Sequence, residues 1–183
     1  AFYGCSSLTD IAIPESVESI GASAFSGCSS LKEISLPALT EIAYGTFSGC
    51  SALTSIVIPN AVKKIGAFAF YNCSGLKDIT LPISAEYHAT TGSYTYRNPY
   101  NSFSDCENVQ KITYTVGDGT VFAHGNNFTL PYYARGALTT VVYEEGIPEI
   151  PENALYSQNY ACSKVTSVTL PSTVKKIGAS AFY

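Results

Sequence analysis

The sequence predicts a solenoid of short parallel β-strands, and two observations lead to it. One is a recurring phrase: Phe25-Ser-Gly-Cys28-Ser-Ser-Leu31, Phe47-Ser-Gly-Cys50-Ser-Ala-Leu53 and Phe70-Tyr-Asn-Cys73-Ser-Gly-Leu76, preceded by Phe2-Tyr-Gly-Cys5-Ser-Ser-Leu8. Its period is 23, 22 and 23 residues, which marks a stack of similar units, each unable to bury its apolar face without its neighbours. The other is an apolar alternation closed by proline, Ile11-Ala12-Ile13-Pro14, which returns in phase with the phrase. Period two is the pattern of a half-buried strand, and proline ends a ladder because it has no N–H to donate.

Taken in order, each unit contains a strand of about three to five residues, then Val17-x-x-Ile20-Gly21, which carries the chain across a second side. Ala24-Phe25 follows as a turn too brief for a stable helix, predicted as one 3₁₀ or α turn. The template fits Ile34, Leu36, Pro37 and Ile42, then Ile56, Ile58, Pro59, Val62, Ile65 and Gly66, then Ile79, Leu81 and Pro82. Val109-x-x-Ile112-x-Tyr114 and Leu138-x-x-Val141-x-Tyr143 keep the strand spacing without the proline. The full pattern returns at Val165, Val168, Leu170, Pro171, Val174, Ile177, Gly178, Ala181 and Phe182. About seven strands, mainly β with short turns, are predicted in one right-handed coil spanning 1–183.

The unit, written I-P-x-x-V-x-x-I-G-x-x-A-F-x-x-C-x-x-L, resembles the BspA-like branch of the leucine-rich repeats. The match is close over 1–82 and 162–183 and weaker over 103–155, and residues 83–102 lie outside it. The resemblance implies a secreted or cell-surface protein of host-associated bacteria, or of some protists. It also implies adhesion to an extracellular partner: a host matrix or plasma protein, or another cell-surface protein. Fold does not by itself fix a ligand.

The net charge of −4 and pI near 5.1 argue against a nucleic-acid partner, since phosphate binding needs clustered positive charge. Lys63-Lys64 and Lys175-Lys176 share one repeat position and read as a solvated face. At 183 residues and 46% hydrophobic content there is ample material for a core, with no transmembrane stretch and no signal peptide. Ala1-Phe2 and Ala181-Phe182-Tyr183 have the same repeat phase, which predicts a fragment of a longer array.

Cys5, Cys28, Cys50 and Cys73 occupy one repeat position, and Cys106 and Cys162 share its context. A stacked column of buried free thiols is expected, because side chains in a ladder point the same way and no C-x-x-C pair is present to chelate an ion. No cofactor, metal or catalytic residue is predicted: His88 and His124 belong to no recognisable hydrolase motif, and no phosphate-binding or zinc signature occurs. Val116-Gly-Asp-Gly119 reads as a tight turn. Asn72-Cys-Ser74 and Asn127-Phe-Thr129 match a glycosylation sequon, incidentally for Asn72, which stands in the repeat phrase.

The departure from the repeat is Ile83 to Ser102, with Tyr87, His88, Tyr94, Tyr96, Arg97 and Tyr100 in a Ser/Thr/Gly/Asn background. Ten of the fourteen tyrosines fall between 83 and 160. Tyrosine, arginine and small polar residues suit recognition, because a rigid ring supplies contact area and its hydroxyl a hydrogen bond. A partner-binding protrusion is therefore expected from Tyr87, Tyr94, Tyr96, Arg97 and Tyr100 together with Phe128, Tyr132, Tyr133 and Arg135; alternatively these rings cover an irregular flank. The strand faces offer a competing surface in two outward columns: Asp10, Glu33, Ser55, Asp78, Lys111, Thr140, Ser167, and Ala12, Ser35, Val57, Thr80, Thr113, Val142, Thr169. Three functions are compatible with this: a non-enzymatic protein-interaction module used in adhesion, a structural spacer, or a glycan-binding or hydrolytic site at the insertion.

Overall fold

The structure, a computed structural model, describes residues 1–87, 102–117, 137–152, 154–155, 162 and 164–182. Its spine is a parallel sheet of five strands: β2 (Ser55–Val57), β4 (Asp78–Pro82), β6 (Lys111–Thr115), β7 (Thr140–Tyr143) and β9 (Ser167–Thr169), in that spatial order. Their lengths, two to five residues including the shorter strands below, fit the alternation that proline or the end of apolar spacing cuts off. Register is kept from coil to coil, Ile56 opposite Ile79, Ile79 opposite Ile112, Ile112 opposite Val141 and Val141 opposite Val168.

A second side carries shorter strands at the Val-x-x-Ile-Gly position. Here β1 (Glu41–Ile42), β3 (Lys64–Ile65) and β5 (Glu86–Tyr87) form one parallel ladder, and β8 (Glu149–Ile150) pairs with β10 (Lys176–Ile177) in another. On this side the glycines let backbones meet. A Cβ on Gly66 would sit 2.7 Å from the Tyr44 nitrogen and 2.8 Å from the Ala43 carbonyl carbon, and one on Gly178 would strike the Glu152 backbone. Coil stacking thus selects glycine where main chains pass at contact distance.

The third side contains no helix among the described residues. The turn predicted at Ala24-Phe25 is a succession of single hydrogen-bonded turns, and the bonding shows why it does not become helical. Ala24, Ser26 and Cys28 donate to carbonyls three residues back, whereas the alternate amides of Ser23, Phe25 and Gly27 donate to Tyr44, Thr46 and Ser48 of the next coil. The scheme repeats at Gly45, Phe47 and Gly49, bonded to Ala67, Ala69 and Tyr71. Every second N–H is committed between coils, so a continuous helical ladder cannot form.

This alternation demands left-handed backbone at two fixed phases. Ser23, Gly45, Phe68 and Ser180 have φ of 54°, 60°, 56° and 52°, two residues before the Phe position. Gly4, Gly27, Gly49, Asn72 and Asp105 stand just before Cys with φ of 73°, 78°, 74°, 54° and 62°. Glycine, or the Asn and Asp that tolerate this region best, is what the second phase needs.

Two predicted strands, at Ile11–Ile13 and Ile34–Leu36, do not form ladders. Single bonds, Lys32 N–H to Thr9 O and Thr54 N–H to Lys32 O, link these segments at their N-terminal ends, and Ile11, Ile13, Ile34 and Leu36 are half-buried instead of buried. With less apolar surface covered, less holds the pleat in register. The second of these coils is also one residue shorter between proline and the next isoleucine (37 to 42, against 59 to 65). It closes with a three-residue turn, Leu39 N–H to Pro37 O, where its neighbour uses Val62 N–H to Pro59 O.

The core is built from columns. Phe2, Phe25, Phe47, Phe70 and Phe103 stack face to face at centroid distances of 5.3, 5.5, 5.3 and 4.8 Å with planes within 16° of parallel. Leu155 holds the corresponding position farther on, its N–H donated to Ala181. Leu31, Leu53, Leu76, Val109 and Leu138 form a parallel column, all fully buried. In the coils without proline, Tyr114 and Tyr143 replace the second inward aliphatic and stack at 5.1 Å.

Candidate functional site

The thiol column is a structural device. Cys28, Cys50, Cys73 and Cys106 are buried, and each S–H donates to the carbonyl of the phenylalanine one coil earlier: Phe2, Phe25, Phe47 and Phe70, at 3.1, 3.2, 3.1 and 3.0 Å. The donor stitches coils together at a point where the backbone carbonyl otherwise has only a turn bond. Burial, and then the neighbouring Cys28 thiol, pushes Cys50 up to about 12. The Cys106 thiol beside it and burial hold Cys73 well above the usual thiol range. Thiols kept protonated in this way are poor nucleophiles. Cys5 departs from the expected column by being exposed, and Cys162 is half-buried with its S–H directed at Leu155 O, 3.4 Å away.

The strand face has the predicted columns wherever strands form. Ser55, Asp78, Lys111, Thr140 and Ser167 stand in register, as do Val57, Thr80, Thr113, Val142 and Thr169. Val57 is 62% exposed, whereas Thr113 is almost fully buried although it points outward. The second column is small and β-branched, and the first is mixed in charge, with Asp78 opposite Lys111.

On the second side, charges alternate across coils. Lys64 lies 3.7 Å from Glu41, and Lys176 Nζ donates to Glu149 Oε1 at 2.9 Å. One lysine of each predicted pair therefore answers a carboxylate on the preceding coil, while Lys63 and Lys175 point to solvent. Between the coils of β8 and β10, Glu145 takes the amide and hydroxyl of Ser172, bonds that pull its carboxyl below the usual range.

Of the residues expected to bind a partner, Tyr87 ends β5, with its backbone opposite Ile65. Tyr94, Tyr96, Arg97, Tyr100, Phe128, Tyr132, Tyr133 and Arg135 lie outside the described residues, as do His88 and His124. The two anchors of the insertion are described. It departs from Tyr87 beside β3 and returns at Ser102, whose carbonyl accepts Phe70 N–H at 2.7 Å and whose hydroxyl donates to Gly66 O at 2.9 Å. Fifteen residues (88–102) join the strand position to Phe103, where four (66–69) join Ile65 to Phe70.

Sequence reasoning missed an exposed aromatic cluster on the turn side. Phe68 lies between Tyr44 and Tyr71, at 5.8 and 5.6 Å and with planes at 73° and 86°. The signal available was that these three positions hold small residues in the preceding coil, Ala22, Ser23 and Ser26.

Among the described residues no cluster of three or more metal-ligating side chains occurs, and no helix is long and apolar enough to cross a membrane. A parallel-sheet solenoid with this repeat is a leucine-rich-repeat coil. The chain belongs to the BspA type Leucine rich repeat region family, which matches in six copies over residues 1–121 and 96–183, a class of repeat interaction module. Among solved structures it is similar to the T. pallidum leucine rich repeat protein TpLRR, at 27% identity and a TM-score of 0.55, over 97% of this chain and 64% of that one. A leucine-rich repeat protein from Bacteroides ovatus matches at 29% identity and a TM-score of 0.47, over 96% and 46% of the two chains. A leucine rich cell surface protein from Faecalibacterium prausnitzii matches at 24% and 0.44, over 100% and 54%. The chain thus spans between about half and two thirds of the length of these proteins. No curated protein matches it.

Proposed function

We propose that this chain is a non-enzymatic, cell-surface or secreted adhesion module that binds an extracellular protein through the tyrosine-rich insertion. The observation that carries the reading is the anchoring of that insertion. Its two ends are fixed to one coil, by strand pairing at Tyr87 and by the Ser102 bonds to Phe70 and Gly66. A rigid scaffold holding both ends of a Tyr/Arg-bearing segment lowers the ordering cost of binding. Tyr94, Tyr96, Arg97 and Tyr100 supply the contacts, extended by Tyr132, Tyr133 and Arg135. The F. prausnitzii protein's description as a cell surface protein is consistent with this location.

The test is binding to immobilised extracellular-matrix and plasma proteins. Saturable binding that is lost when Tyr94, Tyr96, Arg97 and Tyr100 are replaced by Ala, with the melting temperature unchanged, supports the reading. Unchanged affinity in that variant refutes the insertion as the site, and no binding to the panel favours a spacer that displays other domains.

A further inference from the structure

We propose that Tyr44, Phe68 and Tyr71 form a second binding platform, on the turn side of the solenoid, for a neutral saccharide. The cluster is local. The phenylalanine and cysteine columns recur at nearly every coil because each coil needs them to pack, whereas the preceding coil places Ala22, Ser23 and Ser26 at these three positions and the last coil has Ala179 and Ser180 at the first two; tyrosine returns at the third, as Tyr3 and Tyr183, but only here does it meet an aromatic at each of the other two. A feature the fold builds without elsewhere has a cause other than packing.

Phe68 carries that argument further. It holds φ +56° at a phase where Ser23, Gly45 and Ser180 stand at 54°, 60° and 52°. A bulky side chain is disfavoured in this region, and such strain concentrates where a side chain is held for a ligand. The ring gains little burial in return: Phe68 is only half-buried, and the core beneath it is filled by Ala69 and Phe70, both at 0% exposure. On either side Tyr44 and Tyr71 are 50% and 38% exposed. The three rings, each near-perpendicular to its neighbour, leave aromatic surface exposed on this flank, with two phenols among them.

The surroundings define the ligand. The cluster itself is uncharged, and the closest charges along its two chain segments, Glu41 and Lys64, answer each other at 3.7 Å. The main chain is also engaged. The amides of Gly45, Phe47 and Gly49 are donated to Ala67, Ala69 and Tyr71, and those of Phe70, Tyr71 and Asn72 to Ser102, Phe68 and Ser104. An extended peptide needs free main-chain groups for strand addition, and this flank has given those amides to its own coils. Recognition is left to ring faces and hydroxyls. An uncharged ligand with its own apolar face and a rim of hydroxyls is a pyranose chain.

The experiment titrates the whole chain with four neutral hexasaccharides, cellohexaose, laminarihexaose, chitohexaose and mannohexaose, followed by calorimetry and tyrosine fluorescence, with a proline-rich peptide as the contrasting probe. The triple variant Tyr44→Ala, Phe68→Gly, Tyr71→Ser carries small residues of the kind neighbouring coils use. Saturable binding of at least one saccharide is expected, weakened at least tenfold in the triple variant. Phe68→Gly alone is expected to weaken it while leaving the melting temperature unchanged or higher, which a purely structural ring would not do. The variant with Tyr94, Tyr96, Arg97 and Tyr100 replaced by Ala is expected to keep full saccharide affinity, which separates this platform from the insertion. Silence of the wild type toward all four sugars, undiminished binding by the triple variant, or binding of the peptide alone overturns the proposal.

Discussion

Phe47 is the residue at which the column architecture can be tested most sharply. Its ring is fully buried and stacked on both faces, 5.5 Å from Phe25 and 5.3 Å from Phe70. Phe47→Ala removes the ring and leaves a cavity between two coils, at a cost of about 3–5 kcal/mol. Phe47→Leu keeps most of the buried volume but loses both ring pairs, each worth about 0.5–1.5 kcal/mol beyond area, so roughly 1–3 kcal/mol. Leu155 occupies the same phase with its backbone bond to the next coil intact, so leucine is compatible with this backbone. At about 2–4 °C per kcal/mol for a chain of this size, alanine lowers the melting temperature by roughly 6–20 °C. Urea unfolding followed by circular dichroism reads both variants. Stability in a stacked coil depends on nearest-neighbour interfaces, so amide exchange is expected to accelerate in the Phe25 and Phe70 coils ahead of β7 and β9. Equal costs for leucine and alanine, or an alanine cost below about 1 kcal/mol, would refute the idea that stacked rings hold the coils together.

Four other outcomes follow from individual side chains. Gly66→Ala puts a Cβ against the Tyr44 and Ala43 backbone and is expected to cost about 1–3 kcal/mol, whereas Gly21→Ala, with nothing within 4 Å, is neutral or stabilising in the same denaturation assay. The Cys50 thiol is raised in the folded state to about 12 from an unfolded value of 9.0, so the folded chain holds the proton longer; its contribution to stability is full below pH 9 and is lost progressively as the pH rises from 9 toward 12, and Cys50→Ala makes the alkaline loss shallower. With a thiol reagent at pH 8, Cys5 reacts first and Cys28, Cys50, Cys73 and Cys106 react only on unfolding. The Tyr143 hydroxyl is buried without a hydrogen-bond partner among the described residues, so Tyr143→Phe is expected to raise stability by about 1–3 kcal/mol in thermal denaturation.

The columns were legible because a repeat states the same constraint several times. Ile79, Ile112 and Val141 could be put in register from spacing alone, and Ser55, Asp78, Lys111, Thr140 and Ser167 emerged on one outward line as expected. What the sequence left hidden depends on distances that periodicity does not encode. Residues 34–36 carry the same pattern as 56–58, yet form no ladder, because a strand exists only where its neighbour is also pleated and its side chains are covered. The thiols were readable as a column, but their hydrogen bonds to the preceding phenylalanine carbonyls were not, since the acceptor is set by the rise between coils. Thr113 has an outward phase and a buried side chain, a case in which phase gives direction and tertiary context decides exposure.

Phe68 shows the limit from the other side. In sequence it is one more aromatic in an alanine-rich turn, Gly66-Ala67-Phe68-Ala69-Phe70, and the neighbouring Phe70 explains the pattern fully as core. Only the backbone angle separates the two rings: Phe70 occupies the buried column, while Phe68 holds the left-handed position that carries its side chain outward. The fold tolerates serine or glycine at that phase in three other coils, so the ring is not required to close the turn. In a repeat protein, recurrence identifies what the scaffold needs, and a residue that breaks recurrence against a conformational penalty points to what the scaffold is for. By that criterion the turn flank at Tyr44, Phe68 and Tyr71, where the fold elsewhere uses small residues at the Phe68 phase, is the place to which the proposed platform is assigned.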